Sequence, residues 1–169
     1  LSVQNLWNGG FNYGQASDPI ENHLQPITVD LPAAAVNTRW KSRVTGHGMD
    51  TPQNCAEFCS KIHYYKVNDV EQYSKAVWRD NCDLNPVYPQ GGTWVYDRAN
   101  WCPGAEVWTY DWELTPFTTA GTSVKLDHDV QPYTNTGGWD YYQIEDQLVT
   151  YGAPNFTLDA AIEDILSPT

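Results

Sequence analysis

Apolar and polar residues alternate with a period of two along much of the chain. The run VWTYDWEL, Val107 to Leu114, puts Trp108, Tyr110, Trp112 and Leu114 on one face and Thr109, Asp111 and Glu113 on the other. Similar β-branched and aromatic character marks 26–31, 36–45, 61–67, 122–130 and 139–151 as strands. Turn clusters separate them: NGG from Asn8, NPVYPQGG from Asn85, CPG from Cys102 and NTGG from Asn135. No long helical period interrupts the pattern. The segment DAAIEDIL, Asp159 to Leu166, fits either a short helix or a strand. Strands punctuated by Gly and Pro at short intervals predict an all-β fold, an antiparallel β-sandwich.

Composition narrows the picture. A chain of 169 residues, 41% of them hydrophobic, suits one domain spanning 1–169 that buries its own core. No run approaches the ~18 apolar residues of a membrane span, so membrane insertion is not expected. A net charge of −12 repels phosphate backbones and anionic lipid, which argues against nucleic acid as a partner. The first residue is Leu1, and the chain reads as a piece of a longer, secreted or extracellular precursor. Eight Trp and eleven Tyr exceed what a core usually needs. Most are expected in cross-strand pairs, and the remainder can serve as platforms for sugar rings.

The cysteines are Cys55, Cys59, Cys82 and Cys102. Their spacing fits a zinc ribbon poorly, and an even count in an acidic, secreted-type chain favours disulfides. Four cysteines allow three pairings, and spacing alone does not choose among them. One pairing would carry a consequence for NCAEFC, Asn54 to Cys59. Residues i and i+4 of a strand lie roughly 13 Å apart at ~3.3 Å per residue, whereas disulfide Cα atoms lie within ~7 Å. A Cys55–Cys59 bridge would therefore force a tight turn with Glu57 at its tip.

The stretch Asn81 to Gly104 is a long loop rich in Pro and Gly, interrupted by aromatic residues and Arg98. Long loops inside a small domain are usually functional or pinned down. At TGHG (Thr45 to Gly48), NCAEFC and NPVYPQGGTWVYDRANWCPG (Asn85 to Gly104) the sequence resembles the C-terminal jelly-roll domain of the peptide-N-glycosidase F family. The family cleaves the amide between asparagine and the first N-acetylglucosamine of an N-glycan. The resemblance covers nearly the whole chain. It implies a jelly roll with disulfides Cys55–Cys59 and Cys82–Cys102, and an N-glycan or glycopeptide as ligand. It also implies Glu57 as an active-site carboxylate, Arg98 as a substrate contact, and Trp101 and His47 at the cleft.

The resemblance also marks a gap. The family's principal catalytic residue is an aspartate of an N-terminal jelly roll, which this chain lacks. That domain is the expected partner, and the isolated chain is expected to hold part of a site. Val44 and Thr45 stand where the family pattern places a cleft tryptophan. Three functions compete: half of a glycoamidase, a non-catalytic carbohydrate-binding jelly roll, and a structural spacer. The related copper monooxygenase architecture would want an H-x-H pair and a methionine ligand. His23, His47, His63 and His128 are scattered, and Met49 is the sole methionine, so no metal or other cofactor is expected. Asp127, His128 and Asp129 form either a cation site or, more simply, a solvated strand end; His63 is read as a packed or surface histidine. Asn155-Phe156-Thr157 is a glycosylation sequon.

Overall fold

The structure, a computed structural model, describes residues 2–50, 53, 55–85 and 91–155. Strand β1 (Ser2–Asn12) pairs with β8 (Tyr141–Tyr151), and β2 (Ile27–Asp30) with β7 (Ser123–Val130). Likewise β3 (Asn37–His47) pairs with β6 (Tyr110–Glu113), and β4 (Lys61–Val67) with β5 (Val70–Val77). All four ladders are antiparallel and nested, first strand with last, as in a long hairpin rolled up. The ladders β3·β8 and β4·β7 close the roll into two sheets, ordered β1-β8-β3-β6 and β2-β7-β4-β5. This is the jelly-roll sandwich that the sequence and its resemblance predict.

Period-two alternation decides what lies between the sheets. Trp40 and Val44 of β3, Tyr142, Ile144 and Leu148 of β8, Tyr65 and Val67 of β4, and Val124 and Leu126 of β7 all point inward and are buried. A polar chain crosses this core. Asp146 Oδ2 lies 2.6 Å from His128 Nδ1, and His128 Nε2 lies 2.9 Å from His63 Nδ1. His128 is thus not part of a solvated strand end. It faces inward, while Asp127 and Asp129 face outward and pair with Lys66. His63 is the packed histidine of the two alternatives.

Three segments depart from the sequence reading. The NGG at Asn8 is not a turn but lies inside β1, where Gly9 and Gly10 pair with Ile144 and Gln143. An edge strand tolerates the weakened packing of two glycines, and a register shift between Asn5 and Asn8 accompanies them. Strand β5 was not expected, because VEQYSKAV carries little alternation; it is an edge strand open to solvent. It follows a two-residue turn whose Asn68 and Asp69 have φ of 51° and 66°, the left-handed pair of a type I′ hairpin. The VWTYDWEL strand shortens to Tyr110–Glu113, with Trp108 outside it. The tail 159–166 lies outside the described residues, as do Phe156 and Thr157 of the sequon.

The nesting places the connections 13–26, 48–60, 78–109 and 131–140 at one end of the sandwich. The shorter 31–36, 68–69 and 114–122 lie at the other. The stretches carrying the family resemblance meet at the long-loop end.

Candidate functional site

The bridge Cys55–Cys59 holds its Cα atoms 4.7 Å apart, so residues 55–59 fold as a tight turn. Backbone bonds clamp that turn onto the end of β3. Glu57 N donates to Gly48 O at 2.9 Å, and Asp50 N donates to Cys55 O at 2.9 Å. Gly46 is needed here, because a Cβ would lie 2.4 Å from Ala56 O. The second bridge, Cys82–Cys102, spans 5.2 Å between Cα atoms and ties down the 78–109 connection. Within it, Arg79 N donates to Arg98 O at 2.9 Å, and Arg98 N donates to Arg79 O at 3.2 Å. Ala99 then donates to Glu57 O at 2.9 Å and accepts from Gly46 N at 3.1 Å. Two covalently stapled loops and the end of β3 therefore form one hydrogen-bonded unit.

This unit sets the side chains. Arg98 Nη1 donates to Glu57 Oε1 at 3.0 Å, and Arg98 Nε donates to Tyr96 O at 3.1 Å. Arg98 Nη2 donates to Thr93 O. The guanidinium lies between the Phe58 ring at 5.0 Å and the Trp101 ring at 4.6 Å. Trp101 is fixed by its Nε1–H, which donates to Gly46 O at 2.9 Å. His47 packs against Trp101 at 5.2 Å, and its Nε2 lies 2.8 Å from Thr45 Oγ1. The structure thus brings Glu57, Arg98, Trp101 and His47 together.

The two side chains are buried to different depths. The Arg98 side chain is only 2% exposed, and that of Glu57 17%. Arg98 sits beneath the surface, held by loop carbonyls and two rings, and Glu57 is the member that reaches outward. Arg98 engages Oε1, and the Gly48 backbone also stabilises the carboxylate. Burial raises the Glu57 carboxyl above its ordinary range, with Arg98 pulling the other way. Burial and then the Arg98 charge lower His47, which favours its neutral imidazole. An open cleft of about 380 Å³ adjoins the pair, lined by Met49, Phe58, Thr93 and Tyr96.

The sequence reading missed the remainder of the site. Tyr141 stacks on His47 at 5.1 Å with the rings 21° apart, and Trp139 stacks on Tyr141 at 5.9 Å and 17°. The signal was the pairing of His47 with Tyr141 across β3 and β8, which only the sheet order reveals. Among the described residues, no three His, Cys, Asp or Glu side chains gather as a metal-holding group. Nor is any described helix long and apolar enough to cross a membrane.

A family model for the C-terminal domain of peptide-N-glycosidase F matches residues 13–145. The chain belongs to that family. Peptide-N(4)-(N-acetyl-beta-D-glucosaminyl)asparagine amidase F of Elizabethkingia miricola is 28% identical over 129 residues, covering 72% of this chain and 36% of the relative. The solved structure of peptide-N-glycosidase F, a glycosylasparaginase from Flavobacterium meningosepticum, superposes with a TM-score of 0.81 at 25% identity. That match covers 90% of this chain and 52% of the other. PNGF-II shares the fold alone, with a TM-score of 0.62 at 16% identity over 76% of this chain and 25% of its own. The chain therefore spans about a third of the curated glycosidase relative and about half of the solved one.

Proposed function

We propose that this domain forms one wall of a glycoamidase site, completed by an N-terminal jelly roll of the same secreted precursor. The observation that carries the proposal is Glu57. A disulfide-stapled turn holds it at the long-loop end, buried Arg98 fixes one of its oxygens, and family membership supplies the substrate class, an asparagine-linked glycan. Hydrolysis needs water added to the asparagine side-chain carbonyl, cleavage of the C–N bond, and departure of a protonated glycosylamine. The family's principal acid/base is an aspartate of the other domain. The partly exposed Glu57 carboxylate orders a water or accepts from a sugar hydroxyl beside the scissile amide. Its raised carboxyl pKa suits proton exchange at that position. Arg98 acts through Glu57, as a positioning residue, because each of its three side-chain nitrogens already donates to a protein oxygen and it lies below the surface.

The same burial of Arg98 favours a second reading: a carbohydrate-binding jelly roll without hydrolysis. Incubation with a denatured N-glycoprotein separates the two. The isolated domain is expected to release little or no glycan. The two-domain precursor is expected to release it and to lose that activity with Glu57→Gln. Robust release by the isolated domain would sink the claim of an incomplete site. Full activity of Glu57→Gln in the precursor would remove Glu57 from it.

A further inference from the structure

The rings described above form a single column. Arg98 lies over Trp101 at 4.6 Å, Trp101 packs on His47 at 5.2 Å, His47 on Tyr141 at 5.1 Å, and Tyr141 on Trp139 at 5.9 Å. One end is the buried Arg98. The other is Trp139, which is 73% exposed, the most open large aromatic side chain among the described residues. Leaving an indole in water forgoes the gain of burying it, so its mounting is informative.

Trp139 is held at a fixed place. Gly138, beside it, packs so closely that a Cβ would lie 2.5 Å from Met49 O and 2.6 Å from Asp50 Cα. A Cβ on Gly48 would lie 1.9 Å from Trp139 O. Asp50 accepts from Thr136 N at 2.9 Å and Thr136 Oγ1 at 2.7 Å, which locks the 131–140 connection onto the loop that follows β3. Asn135 Nδ2 donates to Asp140 Oδ2 at 2.8 Å on the other side of the indole. A pinned loop thus presents a bare indole face at the outer end of a column that starts at the Glu57–Arg98 pair. The exposed Trp108 differs, because the Arg79 guanidinium covers its ring at 4.4 Å.

We propose that the outer face of Trp139 is a subsite for a pyranose ring of the glycan, remote from the asparagine linkage. The apolar C–H face of the sugar packs on the indole, and Tyr141 backs the indole from behind. The subsite distinguishes branched glycans from the bare chitobiose core. It rests on the reading that Glu57 faces the inner end of the same glycan.

The test labels the indole N–H groups with ¹⁵N and assigns Trp139 by the signal lost in Trp139→Phe. The protein is titrated with N,N′-diacetylchitobiose and, separately, with a free branched N-glycan bearing mannose arms. The branched glycan is expected to shift Trp139, and chitobiose to leave it in place. Trp139→Ala is expected to weaken the branched glycan about three- to tenfold, to leave chitobiose affinity unchanged, and to be largely rescued by Trp139→Phe. An unmoved Trp139 with millimolar branched glycan overturns the subsite, as does an equal loss for both sugars. A shift caused by an unglycosylated peptide but not by the glycan assigns the face to peptide and overturns it too. So does a sugar-independent shift that grows with protein concentration, which marks contact with a second copy. Glu57→Gln reads the inner site separately. If it leaves both affinities unchanged while Trp139 responds, the inner reading falls and the subsite stands.

Discussion

Substituting Arg98 and Glu57 singly and together should give unequal costs. Burial, not Arg98, dominates the Glu57 carboxyl, which is raised above its ordinary range. A group raised in the fold contributes stability that is full below its unfolded value near 4.5 and is lost as pH rises through the folded value. Glu57→Gln removes that burial penalty but also takes the charge away from the more deeply buried Arg98, while its amide oxygen can still accept from Nη1, so it should cost less than Arg98→Met, about 0–2 kcal/mol. Arg98→Met leaves that carboxylate without its partner and removes the donors to Tyr96 O and Thr93 O. Orphaning one member of a buried pair costs ~3–5 kcal/mol. Glu57 retains 17% exposure, which places this case near the lower end, at about 3 kcal/mol. Adding Glu57→Gln to Arg98→Met should return roughly 1–2 kcal/mol, a coupling typical of contacting groups. Urea unfolding followed by tryptophan fluorescence at pH 7 measures all four proteins, with unchanged slope as the check on two-state behaviour. An Arg98→Met cost below about 1 kcal/mol would mean that the guanidinium is solvated. A Glu57→Gln cost above about 2 kcal/mol would mean that attraction, not burial, governs the carboxyl.

Three further outcomes follow from other parts of the fold. His63 is fully buried beside His128, Tyr142 and the Asp146 chain, and burial holds it well below its ordinary 6.5. Its stabilising contribution is complete above that value and is lost as pH falls below it; because the raised Glu21 and Asp140 carboxyls act in the opposite sense, the check is that the change in urea midpoint from pH 7 to 5 is less unfavourable in His63→Phe than in the parent, and equal changes would contradict this. Gly48→Ala places a Cβ 1.9 Å from Trp139 O at φ +72° and should cost at least about 2 kcal/mol. Gly9→Ala meets only ordinary contact with Phe11 and should gain about 0.5–1 kcal/mol, so thermal melts moving together in both variants would be wrong for this geometry. Replacing Cys55 and Cys59 by Ser opens a small ring and should cost about 2 kcal/mol by chemical denaturation; an unchanged midpoint would show that the backbone bonds alone hold the turn.

Much of the architecture was legible because one face of most strands is apolar. Lys61–Val67 was read to the residue, since Ile62, Tyr64, Tyr65 and Val67 give it β-branched and aromatic character. Strand β5 escaped because both its faces mix polar and apolar residues, and β1 because Gly9 and Gly10 read as punctuation. The inward Asp146 and His128 could not be recognised as core, because charge defaults to the surface in any sequence reading. Motif resemblance located the Glu57–Arg98 pair, but its depth depends on Phe58, Trp101 and loop carbonyls that converge only in three dimensions. Trp139 and Tyr141 were legible as a strand start, not as partners of His47, since that contact is set by which strands become neighbours.

The nested pairing also fixes an order of assembly. The hairpin of β4 and β5 closes over two residues, whereas β1 meets β8 by pairing Ser2 with Thr150 across almost the whole chain. Loop-closure entropy favours local contacts first. A ribosome-bound molecule must therefore hold β1 unpaired from its own synthesis until β8, about 130 residues later, has been made. Its glycines and polar residues make that wait safer than a flat apolar edge would. Pulse-labelling hydrogen exchange during refolding should find protection at Lys61–Val77 first and at Ser2–Asn12 last; early protection of β1 would reverse that order.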